Sequence, residues 1–356
     1  MSGLEVLAIG PGATLQDAGR PGWRASGVAQ GGAVDPFALA EGAALLGQGA
    51  ECAALELALG SARLRALAPL TVALTGAERT ARVGERAPGW NASHALDAGD
   101  VLELGPSRHG VFSYLHVAGG FDGPRILGSR AAHLAAGLGR AVVAGETLAL
   151  ADERAASGAP AGWAIRPLPR GEGPLRLLPG PQTALFDEAT LGRFCATTFT
   201  RDARGNRQGV LLTSGEAPFA AGGQLSLLSE PVVPGDVQLT GEGAPVVLGP
   251  ECQTMGGYPR VGTLLAADLV RVYQTPPGTQ LRFAFVAAGD ARAEAQASAA
   301  ALAGLPGRVR PAAAASRDQA GAPSTAELLG TRLVDGFTTG LLEAGPDAGE
   351  DGKDGT

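Results

Sequence analysis

Glycine and proline interrupt this chain so often that long helices have little room to form: 55 of its 356 residues are glycine and 25 are proline. Relative to alanine, a glycine in a helix interior costs roughly 1 kcal/mol and a proline roughly 3 kcal/mol. Between these interruptions lie short alternating apolar runs, such as Leu70 to Leu74 and Val111 to Val117, which read as strands bounded by turns. Hydrophobic residues make up 45% of the chain, enough to give two ordinary domains a core each. The expected fold class is all-β with a few helices.

Three segments depart from the strand pattern. Asp35-Pro36 before Phe37 to Leu46 combines an N-cap acid, a first-turn proline and helix-forming residues, with Gly47 as the stop. Thr183 to Ala196 places Leu185, Phe186, Leu191 and Phe194 near helical spacing, and an alanine-rich helix is expected from Asp290 to Leu302. The Ala-, Gly- and Pro-rich stretch from Ala151 to Gly173 reads as a boundary, giving lobes at 1–165 and 166–289. Residues 290–356 form the helix and a polar tail, expected to be disordered beyond about residue 310.

The two halves echo one another. Leu55-Glu56 followed by Leu74-Thr75-Gly76-Ala77-Glu78 corresponds to Ser229-Glu230 followed by Leu248-Gly249-Pro250-Glu251. Arg20-Pro21-Gly22 likewise corresponds to Arg207-Gln208-Gly209, and the shared order points to two related β-lobes.

The formal net charge of -7 argues against a nucleic-acid or anionic-membrane partner, since both call for a basic surface. No stretch reaches eighteen uninterrupted apolar residues, and no basic segment followed by an apolar run opens the sequence, so a soluble cytoplasmic protein is expected. Cys52, Cys195 and Cys252 are too scattered for a disulfide framework, and the four histidines show no metal-ligand spacing; no metal is expected. The only lysine is Lys353, near the C-terminal end. The body of the chain therefore has no P-loop, Schiff-base or biotin-bearing lysine, and any fixed cation that meets a substrate there is an arginine.

Two clusters carry polar chemistry. In TLQDAGRPGW, Asp17 and Arg20 lie three apart in a glycine-rich loop, where a guanidinium can grip a carboxylate or the two residues can pin the loop. In SEPVVPGDVQL and ECQTMGGYPRVG, the groups Glu230, Gln238, Gln253, Thr254 and Tyr258 alternate with Pro and Gly-Gly turns. They could converge on a polar ligand, while the glycines could equally serve a barrel corner.

The ordered blocks TLQDAGRPGW, GAVDPFAL, CAALEL, LTGAE, SYLHVAGGF, ILGSR, LLPGPQ, NRQGV, SEPVVPGDVQL and GPECQTMGGYPRVGTLLAADL resemble the biotin-dependent carboxyltransferase family, also called allophanate hydrolase subunit 2. That family includes the C-type component of 5-oxoprolinase and the carboxyltransferase segment of urea carboxylase. The resemblance spans residues 4 to about 289 and implies two tandem cyclophilin-like β-barrel lobes. It also implies ATP-dependent opening of 5-oxo-L-proline to L-glutamate, together with subunits A and B. Two departures stand out: Gly42 and Gln48 occupy positions where the family usually has asparagine, and Asn206-Arg207-Gln208-Gly209 replaces the usual Arg-Met-Gly pattern.

The resemblance leads to the following expected roles. Arg20 or Arg207 holds a substrate carboxylate or phosphoryl oxygen, with Gln238, Gln253 and Thr254 as further binding groups. Asp17 or Glu230 exchanges protons, and Tyr258 orients the ring with Gln253. ATP is used by the assembly, and no cofactor is held tightly. Biotin enters only under an alternative, carboxyl transfer from a separate carrier, and no biotin-carboxylase or carrier segment lies within these residues. A third reading is a regulatory protein that binds a kinase-inhibitor homologue.

Overall fold

In the computed structural model, residues 2–156, 159–222 and 227–312 are described. Residues Met1–Arg310 form one compact unit built around two sheets. The polar tail lies outside the described residues, apart from its first positions.

The first sheet runs in the order Arg310–Pro311, Trp163–Ala164, Ala92–Leu96, Leu70–Val83, Val101–Val117, Ala62–Ala66, Gly3–Ile9, Thr147–Ala149. Its frame is the pair of long strands Leu70–Val83 and Val101–Val117, whose antiparallel register shifts three times between Gly76 and Ala81. Such irregularities bend a strand and increase its twist. The bend lets Val101–Val117 pair with Ala62–Ala66 along its first half and with Ala54–Leu57 along its second. Alternation is plain in Ala62–Ala66, where Ala62, Leu64 and Ala66 are buried while Arg63 and Arg65 face water.

The second sheet runs Gln280–Leu281, Phe199–Arg201, Gly209–Thr213, Pro245–Leu248, Asp236–Leu239, Arg260–Leu264, Leu175–Leu178, Phe283–Phe285. Its two edge strands are separated in sequence by Arg282 alone, so the sheet curls until its edges nearly meet, as a nearly closed barrel does. Inside it, Phe194, Phe199, Phe219 and Phe283 stack in tilted and edge-on pairs with ring centroids 4.9 to 5.8 Å apart. This core is continuous with first-lobe residues, among them Val34, Leu39, Phe112 and Tyr114.

The helix Pro36–Leu45 starts where its cap predicts: the Asp35 side chain accepts the Ala38 amide at 2.9 Å. Thr183 to Ala196 divides into a short 3-10 turn, Thr183–Leu185, and an Asp187-capped helix, Glu188–Ala196. The alanine-rich helix spans Ala288–Ala303. A helix that the sequence pattern does not announce, Ala266–Gln274, has Val270, Val272 and Tyr273 in its body, β-branched and aromatic residues that locally favour a strand. Its burial between Val101–Val117 of the first sheet and Leu175–Leu178 of the second overrides that propensity, with Ala267, Asp268, Val270, Val272 and Tyr273 all buried.

Both unusual substitutions have a local account. A Cβ on Gly42 would overlap the His116 imidazole, so the small residue on the helix makes room for the large one on the strand. Gln48 uses its amide to accept the Gly119 amide at 2.9 Å and to donate to the Val117 carbonyl at 3.2 Å, tying helix end to strand end. Among the described residues, no helix is long and apolar enough to cross a membrane.

Candidate functional site

The lobes meet at an arginine. Arg207, in the loop before Gly209–Thr213, donates through Nη1 to Glu56 of the first lobe, through Nε to Glu251 of the second, and through Nη2 to the Gly32 carbonyl. Burial by itself would lower the Arg207 pKa, but the Glu56 and Glu251 carboxylates outweigh it and hold the pKa above its ordinary value. The other Glu56 oxygen accepts the Val34 amide at 2.9 Å and the Tyr114 hydroxyl at 2.7 Å. Tyr114 in turn accepts the Asp35 amide at 2.8 Å. Gln274 closes the network, donating to Asp35 Oδ2 at 3.1 Å and accepting the Val111 and Phe112 amides.

His133 Nδ1 lies 3.4 Å from Glu251 Oε2, a separation that would suit an ion pair. The same nitrogen accepts the Ala136 amide at 3.3 Å, and burial, opposed in part by Glu251, lowers the His133 pKa. His133 is thus a neutral neighbour of Glu251, and Arg207 carries the charge that both glutamates need.

A cleft of about 460 Å³ opens beside this cluster. Pro11, Leu59 and Phe112 line it from the first lobe, and Arg201, Arg207 and Tyr273 from the second. Its position between lobes, its volume and its mostly apolar walls with a few polar groups are those of a small-molecule site.

Neither Asp17 nor Arg20 lines this cleft. Both are buried, and both pin the loop at residues 126–131. Asp17 accepts from the Ser129 hydroxyl, the Arg130 amide at 2.7 Å and the Gly19 amide at 2.8 Å. Arg20 donates to the Ile126 and Ala131 carbonyls, and burial lowers its pKa. Of the two arginines expected to hold a substrate anion, Arg207 lines the cleft and Arg20 does not. Arg20 is 1% exposed and Arg207 is occupied by two carboxylates, because each lies where a loop or lobe must be fastened.

The second predicted cluster lies elsewhere, on the short ribbon in which Glu230–Pro231 pairs with Met255–Gly256. Arg260 organises it, donating to Glu230 at 2.7 Å, to Asp236 at 3.2 Å and to the Pro231 carbonyl at 2.8 Å. Gln182 bridges, donating to Glu230 at 2.8 Å and accepting from the Arg260 backbone amide at 3.0 Å. Gln238 is buried, with its amide 3.5 Å from the Tyr258 carbonyl, while Gln253 and Tyr258 are exposed and Thr254 is half-buried. Glu230 is itself half exposed, so Glu230→Gln should shift unfolding free energy by less than about 1 kcal/mol, as measured by urea denaturation. Asp236→Asn, which disturbs a buried carboxylate, should cost several times more in the same measurement.

Sequence reasoning missed Arg201, Tyr273 and Gln274, which come from segments with no motif. Glu56 and Glu251 stand inside the echoed blocks, but nothing in their spacing shows that one arginine joins them.

The fold agrees with three similarities to known proteins. The chain is 34% identical over 286 residues to the C component of the Escherichia coli (strain K12) 5-oxoprolinase, a match covering 79% of this chain and 90% of that protein. With the corresponding 5-oxoprolinase component of Haemophilus influenzae the identity is 28% over 295 residues, covering 81% and 93%. The solved structure of the K. lactis urea amidolyase superposes with a TM-score of 0.75 at 24% identity, over 85% of this chain and 20% of that one, a likeness of fold. The family described as carboxyltransferase domain, subdomain A and B, matches residues 26–285, a span holding the second sheet entire, most of the first, and the Arg207 junction between them. The chain belongs to that carboxyltransferase-domain family.

Proposed function

We propose that this chain is the C-type component of an ATP-dependent 5-oxoprolinase, working with A- and B-type partners in the cytoplasm to convert 5-oxo-L-proline to L-glutamate. The observation that carries the reading is the 34% identity that spans 90% of the E. coli C component. The interlobe cleft supports it: about 460 Å³ with apolar walls suits a five-membered lactam, and the buried arginines beside it suit an acid. The assembly uses ATP; with Lys353 as the only lysine in this chain, any contribution of its body to that step does not come from a P-loop. The chain itself holds no cofactor tightly.

On this reading Arg207 fixes the cleft wall, while Asp17 and Arg20 fasten the 126–131 loop. Glu230, Gln253, Thr254 and Tyr258 form a second polar face on the same chain, available to substrate or partner, with Gln238 buried beside Tyr258.

Reconstitution tests the reading. ATP cleavage dependent on 5-oxoproline should require this chain together with A- and B-type homologues, and the chain alone should show none. Full activity of the two partners without it would overturn the assignment. Carboxyl transfer to urea from a separate biotinylated carrier would favour the urea-carboxylase alternative instead.

A further inference from the structure

Every buried arginine around the cleft except one has its donors satisfied in large part by protein. Arg79, with no carboxylate partner, gives its N–H groups to the carbonyls of Leu57, Ala58, Gly60 and Gly105 and to the Ser113 hydroxyl. Arg207 is shared by two glutamates, and Arg20 reaches two carbonyls. Arg201 is 5% exposed and lines the cleft, yet its guanidinium has no acceptor or carboxylate among the described residues, and its Nε is buried without a partner. Next to it, Tyr273 is 1% exposed and also lines the cleft, and its hydroxyl likewise has no partner among the described residues. A buried cation without a counter-charge and a buried hydroxyl without an acceptor are both costly, and folded proteins rarely keep two together without use.

We propose that Arg201 and Tyr273 form a carboxylate subsite, donating to the acid group of a small molecule whose apolar body lies against Pro11, Leu59, Val111, Phe112, Leu134 and Pro277. The inference deepens the proposed function and rests on it for the identity of the acid, 5-oxo-L-proline. Arg207 is engaged by Glu56 and Glu251, which leaves Arg201 as the guanidinium without a carboxylate of its own among the described lining residues. A dianionic phosphate is disfavoured because the Glu251 carboxylate lines the same space. The Tyr273 hydroxyl is held in place by the backbone: it occupies the space where a Cβ on Gly249 would stand. Burial raises the phenol pKa, which keeps it a proton donor throughout the physiological range.

The test is calorimetric titration of the full chain, and of the reconstituted assembly, with L-5-oxoproline, its neutral carboxamide, cyclopentanecarboxylate and inorganic phosphate. Wild type should bind the two acids and neither the carboxamide nor phosphate. Arg201→Met should weaken acid binding by about tenfold to a hundredfold, and Tyr273→Phe by several-fold. Thermal unfolding separates this from a structural role: without ligand, Arg201→Met should unfold at the wild-type temperature or above it, because a buried unpaired cation has been removed. If Arg201→Met lowers the unfolding temperature and leaves acid binding intact, the subsite is refuted. Arg201-dependent binding of cyclopentanecarboxylate without 5-oxoproline would keep the subsite and sink the oxoprolinase reading. Arg201-dependent binding of phosphate alone, or no Arg201-dependent binding in either preparation, would overturn the subsite.

Discussion

Arg207→Ala should destabilise the folded chain by about 3–5 kcal/mol, because it strands two buried carboxylates, Glu56 at 3% and Glu251 at 5% exposure, without their shared cation. For a unit of this size, that corresponds to a fall of roughly 5–8 °C in melting temperature. The loss should be smaller in Arg207→Lys, which keeps the charge but cannot fork between two acids. It should be partly recovered in Arg207→Ala combined with Glu56→Gln, which removes one orphaned charge. Differential scanning calorimetry of the three variants checks the ordering. If Arg207→Ala melts like wild type, the junction between lobes does not depend on this residue.

The second large effect concerns His116, buried between helix and strand. Thr75 donates its one hydroxyl proton to the Ala38 carbonyl at 2.8 Å, so His116 Nε2, 3.1 Å from the same oxygen, must carry the proton of the neutral ring. His116 Nδ1 has no partner, and burial pushes the pKa from 6.5 down to about 3. The unfolded chain therefore binds a proton between those values that the folded chain refuses. The stability linked to His116 is complete above about pH 6.5 and falls as pH drops, by about 1.4 kcal/mol per unit. Urea unfolding at pH 7.5, 6 and 5 should show this slope in wild type and lose one proton's worth in His116→Ala. Gly42→Ala should cost about 1–3 kcal/mol by crowding the ring, and the double variant with His116→Ala should recover part of it. Strict additivity of the two would show that the residues do not compete for space.

Much of the architecture could be read from sequence, because turn residues and alternation are local signals. The helix at Pro36–Leu45 announces itself through Asp35 and Pro36, and Leu70–Val83 through its apolar run. The helix Ala266–Gln274 does not, since its reason for being helical is the surface it covers. The site is harder to read for the same reason. Arg20 and Arg207 are the sort of residue that binds anions, but burial and partners decide what an arginine does, and those depend on residues more than a hundred positions away. Arg201 and Tyr273 have no motif to mark them; what distinguishes them is an absence of partners, which a sequence does not record.

The junction at Arg207 also bears on how the chain is made. Glu56 and Arg207 are 151 residues apart. At about 5–20 residues per second, a ribosome that has delivered Glu56 takes roughly 10–30 s to deliver its cation. Phe112 and Leu39 share one core with second-lobe residues such as Phe199 and Val210, so they too wait for their neighbours. During translation the first lobe thus carries an unneutralised acid beside an uncovered apolar face. The nascent chain is most open to chaperone capture, or to aggregation, in the interval before Arg207 leaves the exit tunnel.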